Sequence, residues 1–289
     1  MNRLLIANVL ASVGFLQATG QTPTFRSSVD VVPVYVLVTS ADGRIVTDLG
    51  KDDFLLKEDG RERAITTFSS AEQPITGVLL LDVSGSLGNR FLRVKAAASH
   101  LVDALRDDDR LRIGTFADEV GISPHLTSNK STLRRVLADE VWLGGGTALW
   151  RAVNTGMTSL ARESGRRVVL VASDGRDSGM FPSTRREVST AVRNRAIREA
   201  FVVCAIEIHG RPIHMDLTNL TTVTGGGSIM LQHDADFRLA LDLMLSQLRH
   251  QYLLGFVPAR MDGKFHRLSV TVKRPGHRVR SPAEVFVGK

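Results

Sequence analysis

An apolar run, Leu79-Leu80-Leu81, ends abruptly in Asp82-Val83-Ser84-Gly85-Ser86, a carboxylate and two hydroxyls spaced two apart. Such a run reads as a strand buried on both faces, with the polar residues on the loop at its tip. Residues 168–173 repeat the pattern, a second apolar run that closes in Asp174-Gly175. Between the two, Gly144-Gly145-Gly146-Thr147 offers another hydroxyl on a turn. Short oxygen side chains on tight loops suit a hard divalent cation, because Mg²⁺ takes oxygen ligands in near-octahedral geometry at about 2.0–2.1 Å. The plainer alternative has Ser84 and Ser86 capping a helix and Asp174-Gly175 making a turn. Capping needs one residue, and it leaves five oxygens on three loops unexplained.

Apolar runs alternate with amphipathic stretches between Gly77 and Arg249, the pattern of an α/β fold with a doubly wound, mostly parallel sheet flanked by helices. Strands are expected at residues 78–81, 111–116, 168–173 and 201–208. Helical faces are expected from Phe91, Val94, Ala98, Leu101 and Leu105, from a short helix over Leu133 and Leu137, and from Leu149, Val153, Met157 and Leu160, with Gly156 a weak point. Thr184-x-x-Glu187 has the form of a capping box opening a further helix. A short helix over residues 217–223 is expected to stop at Gly225-Gly226-Gly227, and Phe237, Leu241, Leu245 and Leu248 make the face of the last one. Sheets of this kind bind ligands beyond the carboxyl ends of their strands, where Asp82 and Asp174 sit.

The flanks read as extended chain. Val29, Val31, Val34, Val36 and Val38 alternate near the start, with turns at Asp42-Gly43 and Asp59-Gly60 and a second run holding Ile65 and Phe68. Residues 252–257, 265–272 and 285–287 are strands at the other end, separated by Asp262-Gly263 and Pro275-Gly276. Isolated hairpins are marginal in water, so the two flanks are expected to pair into one small β module. The domain map is thus 26–70 and 251–289 as β flanks around a domain at 74–250.

Met1-Asn2-Arg3 followed by an apolar stretch over residues 4–16 and by Ala18-Thr19-Gly20 has the form of a signal peptide over 1–20. The stretch is shorter than the roughly 20 residues a spanning helix needs, and no other segment is a spanning candidate. The chain is therefore expected to be exported, periplasmic or extracellular, with no transmembrane segment in the mature form. The only cysteine, Cys204, lies in an apolar run, which fits inert packing better than a reactive thiol. The net charge is +7 over 289 residues, which raises nucleic acid as a partner. Arg185, Arg186, Arg193, Arg195 and Arg198 lie on one expected helix, and a further basic group lies near the C terminus. Without stacking aromatics these read as solvated faces, and no nucleic acid is expected. Asp107-Asp108-Asp109 likewise reads as a solvated turn, lacking the spaced ligands of a calcium loop.

Asp82-x-Ser84-x-Ser86, Thr147 and Asp174, in that order, resemble the metal-ion-dependent adhesion site (MIDAS) of von Willebrand factor A-type domains, whose fold is Rossmann-like. The likeness covers roughly residues 74 to 250. Residues 251–256, Gln-Tyr-Leu-Leu-Gly-Phe, and the paired flanks also resemble the bacterial exported branch of that family. The resemblance implies that Ser84 and Ser86 ligate the ion directly, Thr147 directly or through water, and Asp82 and Asp174 mostly through waters. It implies Mg²⁺, or Mn²⁺ or Ca²⁺, and a protein partner whose Asp or Glu completes the shell, hence adhesion or assembly without catalysis. Such sites often carry an acidic or amide residue just after the threonine loop, where this chain has Arg151. A structural component whose metal only ties loops together is the alternative. A metal-dependent hydrolase is the third reading, though no motif ties His100, His125 or His209 to the serines, and the G-x-S-x-G of serine hydrolases is absent. His209 and His214 with Asp216 offer a second possible metal site, with exposed loop histidines the commoner explanation.

Overall fold

The computed structural model of the chain describes residues 31–173, 177–178, 182–208, 215–231 and 237–288. The expected signal segment, Val29, Asp174, His209 and His214 lie outside the described residues. The first flank holds β1 (Val32–Ser40), β2 (Phe54–Glu58), β3 (Arg61–Arg63) and β4 (Ile65–Ser69). The central domain follows with β5 (Thr76–Asp82), α1 (Phe91–Asp103), β6 (Arg110–Phe116), β7 (Val120–Ile122), α2 (Lys130–Asp139), α3 (Leu149–Ser159), β8 (Arg167–Ser173), α4 (Pro182–Arg198), β9 (Phe201–Glu207), α5 (Met215–Val223), β10 (Gly227–Met230) and α6 (Phe237–Arg249). The last flank holds β11 (Tyr252–Phe256), β12 (Lys264–Val272), β13 (His277–Arg280) and β14 (Glu284–Val287).

The central strands run in the order β10-β9-β8-β5-β6-β7, parallel except for the antiparallel edge pair β6 and β7. The chain leaves β5 toward β6 and returns as β8 on the other side of β5, so the winding reverses there. That reversal opens a crevice at the carboxyl ends of the strands. Both faces of the sheet are covered. Leu79 and Leu81 join α1, α2 and α6 in one apolar cluster, while Val78 and Leu80 join α3, α4 and α5 in the other. This is the period-two division of a doubly buried strand, each such side chain contributing about 1.5–3 kcal/mol. Gly156 is part of that packing. A Cβ there would lie 3.1 Å from Leu80 Cδ1 and 3.2 Å from Val78 Cγ1, so its bareness lets α3 close onto β5.

The flanks do interleave. One antiparallel sheet has the order β13-β1-β11-β4 and the other β14-β12-β2-β3, each mixing strands from both ends of the chain. β1 and β4 meet only through β11, with Val34 opposite Leu254 and Phe68 opposite the same residue. Their common core contains Val36, Phe54, Leu56, Tyr252, Phe256 and Val287. The Tyr252 hydroxyl donates to Val46 O at 2.9 Å and accepts from Leu49 N at 3.1 Å, which satisfies it inside that core. At the junction, the buried Arg166 donates to Gln73 O and Pro74 O, where the chain enters the central domain, and to Leu248 O and Gln251 Oε1, where it leaves. Burial lowers the Arg166 guanidinium to about 10. Cys204 is fully buried, and desolvation pushes its thiol up to about 11, as inert packing requires.

Four local expectations need correction. α4 begins at Pro182, so Thr184 lies in its first turn and does not precede it; proline's fixed φ suits that first position. Asp109 is fully buried, accepting from Ile75 N at 2.8 Å and pairing with Arg249 at 2.6 Å, and is not a solvated turn residue. Arginines of α4 are engaged within the chain: Arg193 pairs with Glu284 at 2.5 Å, Arg195 with Glu199 at 2.8 Å, and Arg198 lies 5.3 Å from the Phe286 ring centroid. Strands β7, β10 and β13 are short and fall where glycine or charge obscured them. Gly226 explains β10, since a Cβ there would come within 1.9 Å of Val203 O and hold the strand off β9.

His266 on β12 has Nδ1 at 2.9 Å from Asp59 Oδ2 and 3.2 Å from Glu58 Oε1, and Nε2 at 3.0 Å from Asp262 Oδ1. The bond with Asp262, together with the charges of Asp59 and Glu58, raises its pKa. A raised folded pKa stabilises fully below the unfolded value of about 6.5 and loses that contribution as pH rises through the folded value. Urea unfolding of the protein and of His266→Gln should therefore differ most near pH 6 and least near pH 9. A gap that widens with pH contradicts this assignment.

Candidate metal centre

Asp82 ends β5 with its carboxylate fully buried, Oδ1 accepting from Ser84 N at 2.9 Å and Oδ2 from Ser173 Oγ at 2.6 Å. The strand pairing explains this: β5 and β8 run side by side in parallel, with Ser173 ending the latter. Ser84 is buried, Ser86 is exposed, and their hydroxyl oxygens stand 3.0 Å apart. The loop then turns through Gly88, whose φ of +49° is in the left-handed region glycine tolerates, and enters α1.

Thr147 is buried at the end of the glycine loop, and that loop is bonded to its neighbours through its backbone. Gly144 N donates to Val83 O at 2.7 Å, and Gly145 O accepts from Gly85 N at 3.0 Å. On the other side, Thr147 N donates to Ser178 Oγ at 2.6 Å and Thr147 O accepts from Ser178 N at 3.0 Å. Asp177, one residue earlier, accepts from Trp150 N at 3.1 Å and so caps the first turn of α3. A fourth loop, between β6 and β7, contributes Asp118, whose Oδ1 accepts from Gly146 N at 2.8 Å. The crowding is rigid at Gly144 and falls on the exposed Asp118 carboxylate at Gly145 and Gly146. An added Cβ would lie 2.4 Å from Ala117 Cβ at Gly144, 2.2 Å from Asp118 Oδ2 at Gly145, and 2.5 Å from Asp118 Oδ1 at Gly146.

The structure therefore brings the loops carrying Asp82, Ser84, Ser86 and Thr147 together, while Asp174 lies outside the described residues. Sequence reasoning missed Ser173, Ser178 and Asp118. Ser178 stands four residues after Asp174, and Asp118-Glu119 lies in a tight strand connection, so proximity to the expected loops was their only signal. Arg151 donates to Asp118 O and stands 3.6 Å from Glu119 Oε2, which commits it to the β6–β7 turn. Of the candidate bases, His100 bonds Asp242 Oδ1 at 3.0 Å across to α6, and His125 is exposed between β7 and α2. Asp216 accepts from Ser189 Oγ at 3.2 Å.

Gly144→Ala should cost about 1–3 kcal/mol of stability, because its Cβ meets another Cβ and neither can rotate away. Urea denaturation measures this, and an unchanged midpoint would show that the loop has room to shift.

Residues 78–176 match the family model described as von Willebrand factor type A domain. Among solved structures, a von Willebrand factor type A protein from Catenulispora acidiphila is 11% identical with a TM-score of 0.55, covering 91% of this chain and 74% of that one. The D319A mutant of the PilB minor pilin from Streptococcus sanguinis is 11% identical with a TM-score of 0.51, covering 63% of each chain. Proximal thread matrix protein 1 of the mussel byssus, in a form with a zinc-occupied MIDAS motif, is 16% identical with a TM-score of 0.48; the match covers 63% of this chain and only 49% of that one. No curated protein matches the sequence. With the matched segment spanning β5 to the end of β8, and a mostly parallel sheet wound around it, the central domain of this chain matches the von Willebrand factor type A family model and has that fold.

Proposed function

We propose that the chain is an exported, non-catalytic binding module that holds Mg²⁺ at Asp82, Ser84, Ser86, Thr147 and Asp174 and uses it to capture an Asp or Glu of a protein partner. The observation that carries the reading is the 3.0 Å separation of the Ser84 and Ser86 oxygens. Adjacent ligands of an octahedral ion at 2.0–2.1 Å stand about 2.9 Å apart, whereas the 2.3–2.6 Å radius of Ca²⁺ spreads them to about 3.5 Å. The two hydroxyls, hydrogen-bonded to each other, already stand near the separation that adjacent Mg²⁺ ligands take.

Each residue then has a part. Ser84 and Ser86 offer neutral oxygens directly and Thr147 a third. Asp82, its two oxygens already accepting from Ser84 N and Ser173 Oγ, is placed to orient water at the ion, and we assign Asp174 the same part. With neutral oxygens nearest, the ion would supply an electron-poor open position that favours a carboxylate. The loop bonding speaks against a metal that merely ties loops together, since Gly144, Gly145 and Thr147 already join them through backbone bonds. The hydrolase reading has less support, because among the described residues the side chain that Ser84 Oγ bonds is another hydroxyl. Residues 74–250 make the binding domain in this account and the module of 26–70 with 251–289 supports it. Among the described residues no helix is long and apolar enough to cross a membrane.

Titration calorimetry should find Mg²⁺ binding weakened at least tenfold in Ser84→Ala, Thr147→Ala and Asp174→Ala, with the fold retained. Capture of a protein partner from the native cell envelope should be lost with EDTA and withstand moderate salt, which screens exposed charges more than a buried contact. Undiminished affinity in all three variants removes the site assignment, and Mg²⁺-dependent turnover lost in Ser84→Ala restores the enzyme. Export is checked by the mass of the native protein, which should begin after residue 20.

A further inference from the structure

Trp142 and Leu143 are both large, exposed and adjacent to the glycine loop. Trp142 is 68% exposed and Leu143 49%, and Leu143 directly precedes Gly144, whose amide is bonded to the carbonyl next to Ser84. Leu92, 71% exposed, stands on the first turn of α1, the helix that the Ser84–Ser86 loop feeds. One exposed leucine means nothing, but a group of large apolar side chains bordering a binding loop marks a contact surface.

The indole is also fixed in place. Its Nε1 donates to Asp139 O at 2.8 Å, and Lys95 Nζ lies 5.5 Å from its ring centroid. That ammonium is anchored in turn by Ala138 O at 3.0 Å and Val141 O at 3.4 Å. Lys95 is one turn along α1 from Leu92, so the two are neighbours on the surface of that helix. A tryptophan whose only donor is satisfied internally presents its ring with no polar demand and little conformational entropy left to lose. Those are the properties of an anchoring aromatic at a protein interface. The positive charge of Lys95 beside the indole complements an acidic ligand.

Building on the function proposed above, we infer that Trp142, with Leu143 and Leu92, forms a specificity shelf beside the metal position. It selects a protein segment in which the capturing Asp or Glu is flanked in its chain by a large apolar or aromatic residue. A lipid surface is less well matched, because the indole N–H that would seek the headgroup region is bonded to Asp139.

The test uses the full chain and immobilised Gly/Ser peptides carrying one Asp alone, Asp next to Leu or Phe, or Asn next to Phe. In saturating Mg²⁺ the Asp-Phe and Asp-Leu peptides should bind on the order of tenfold more tightly than Asp alone. Trp142→Ala and Leu143→Ser should erase that margin while calorimetry finds Mg²⁺ affinity unchanged. Since Trp150 is buried, the Asp-Phe peptide should alter the fluorescence of Trp142 alone. Equal binding of Asp and Asp-Phe peptides by a chain that binds Mg²⁺ overturns the shelf and leaves the metal reading intact, as does a margin that survives Trp142→Ala. Retention of the Asn-Phe peptide as strong as that of Asp-Phe also overturns it, by uncoupling the apolar contact from the carboxylate. Binding to phosphatidylglycerol vesicles, or self-association in sedimentation, that disappears in Trp142→Ala reassigns the shelf to a membrane or to a second copy. A chain that binds no Mg²⁺ fails at the earlier step, which the calorimetry reads separately.

Discussion

The backbone of residues 144–147 is the constraint on which the site depends. Its amides and carbonyls bond to the loop after β5, the loop after β6 and the loop after β8, and a side chain at Gly144 would collide with Ala117 while one at Gly145 or Gly146 would displace the Asp118 carboxylate. A loop bonded on three sides loses its freedom during folding, when the sheet forms, and not when a ligand arrives. Preorganised oxygens of this kind bind without a further ordering cost. The candidate site is therefore a product of strand order, because only the reversal at β5 brings these strand ends together.

A buried carboxylate at the middle of that crevice needs partners, and Asp82 finds Ser84 N and Ser173 Oγ. Another buried carboxylate, Asp109, lies at the opposite end of the sheet, where Arg249 pairs with it. Near that end Arg166 gathers carbonyls from the entering and leaving chain, so the β module is fixed to the domain at the pole away from the loops. The α4 arginines add a lateral contact through Glu284 and Phe286. Leaving a buried charge unpaired is costly, which makes both Asp109 with Arg249 and Arg166 sensitive points of the architecture.

Much of this was legible in the sequence because strands buried on both faces leave continuous apolar runs, as β5, β8 and β9 did, while β6 showed itself by the alternation of Leu111, Ile113 and Phe116 with polar or small residues. The interleaving of the flanks was legible for a different reason, that neither end carries enough strands to close a sheet. β7, β10 and β13 were not, since a three- or four-residue edge strand holding Gly121, Gly227 or Arg278 and Arg280 has no apolar period. Asp109 was read as solvated because its partner Arg249 lies 140 positions away, beyond any local pattern. The α4 arginines misled for the same reason: charge in a sequence looks exposed until its partner is known. At the site, the oxygens at strand tips stood out, whereas Ser173, Ser178 and Asp118 hold the loops through contacts that no spacing encodes.

Anomalous diffraction from crystals grown with Mn²⁺ tests the central claim most directly. The account predicts one strong Mn²⁺ peak within bonding distance of the Ser84 and Ser86 hydroxyls, with Thr147 beside it, and its loss in crystals of Asp174→Ala. A crystal with no peak at that position, or with its only peak at another cluster, contradicts the account.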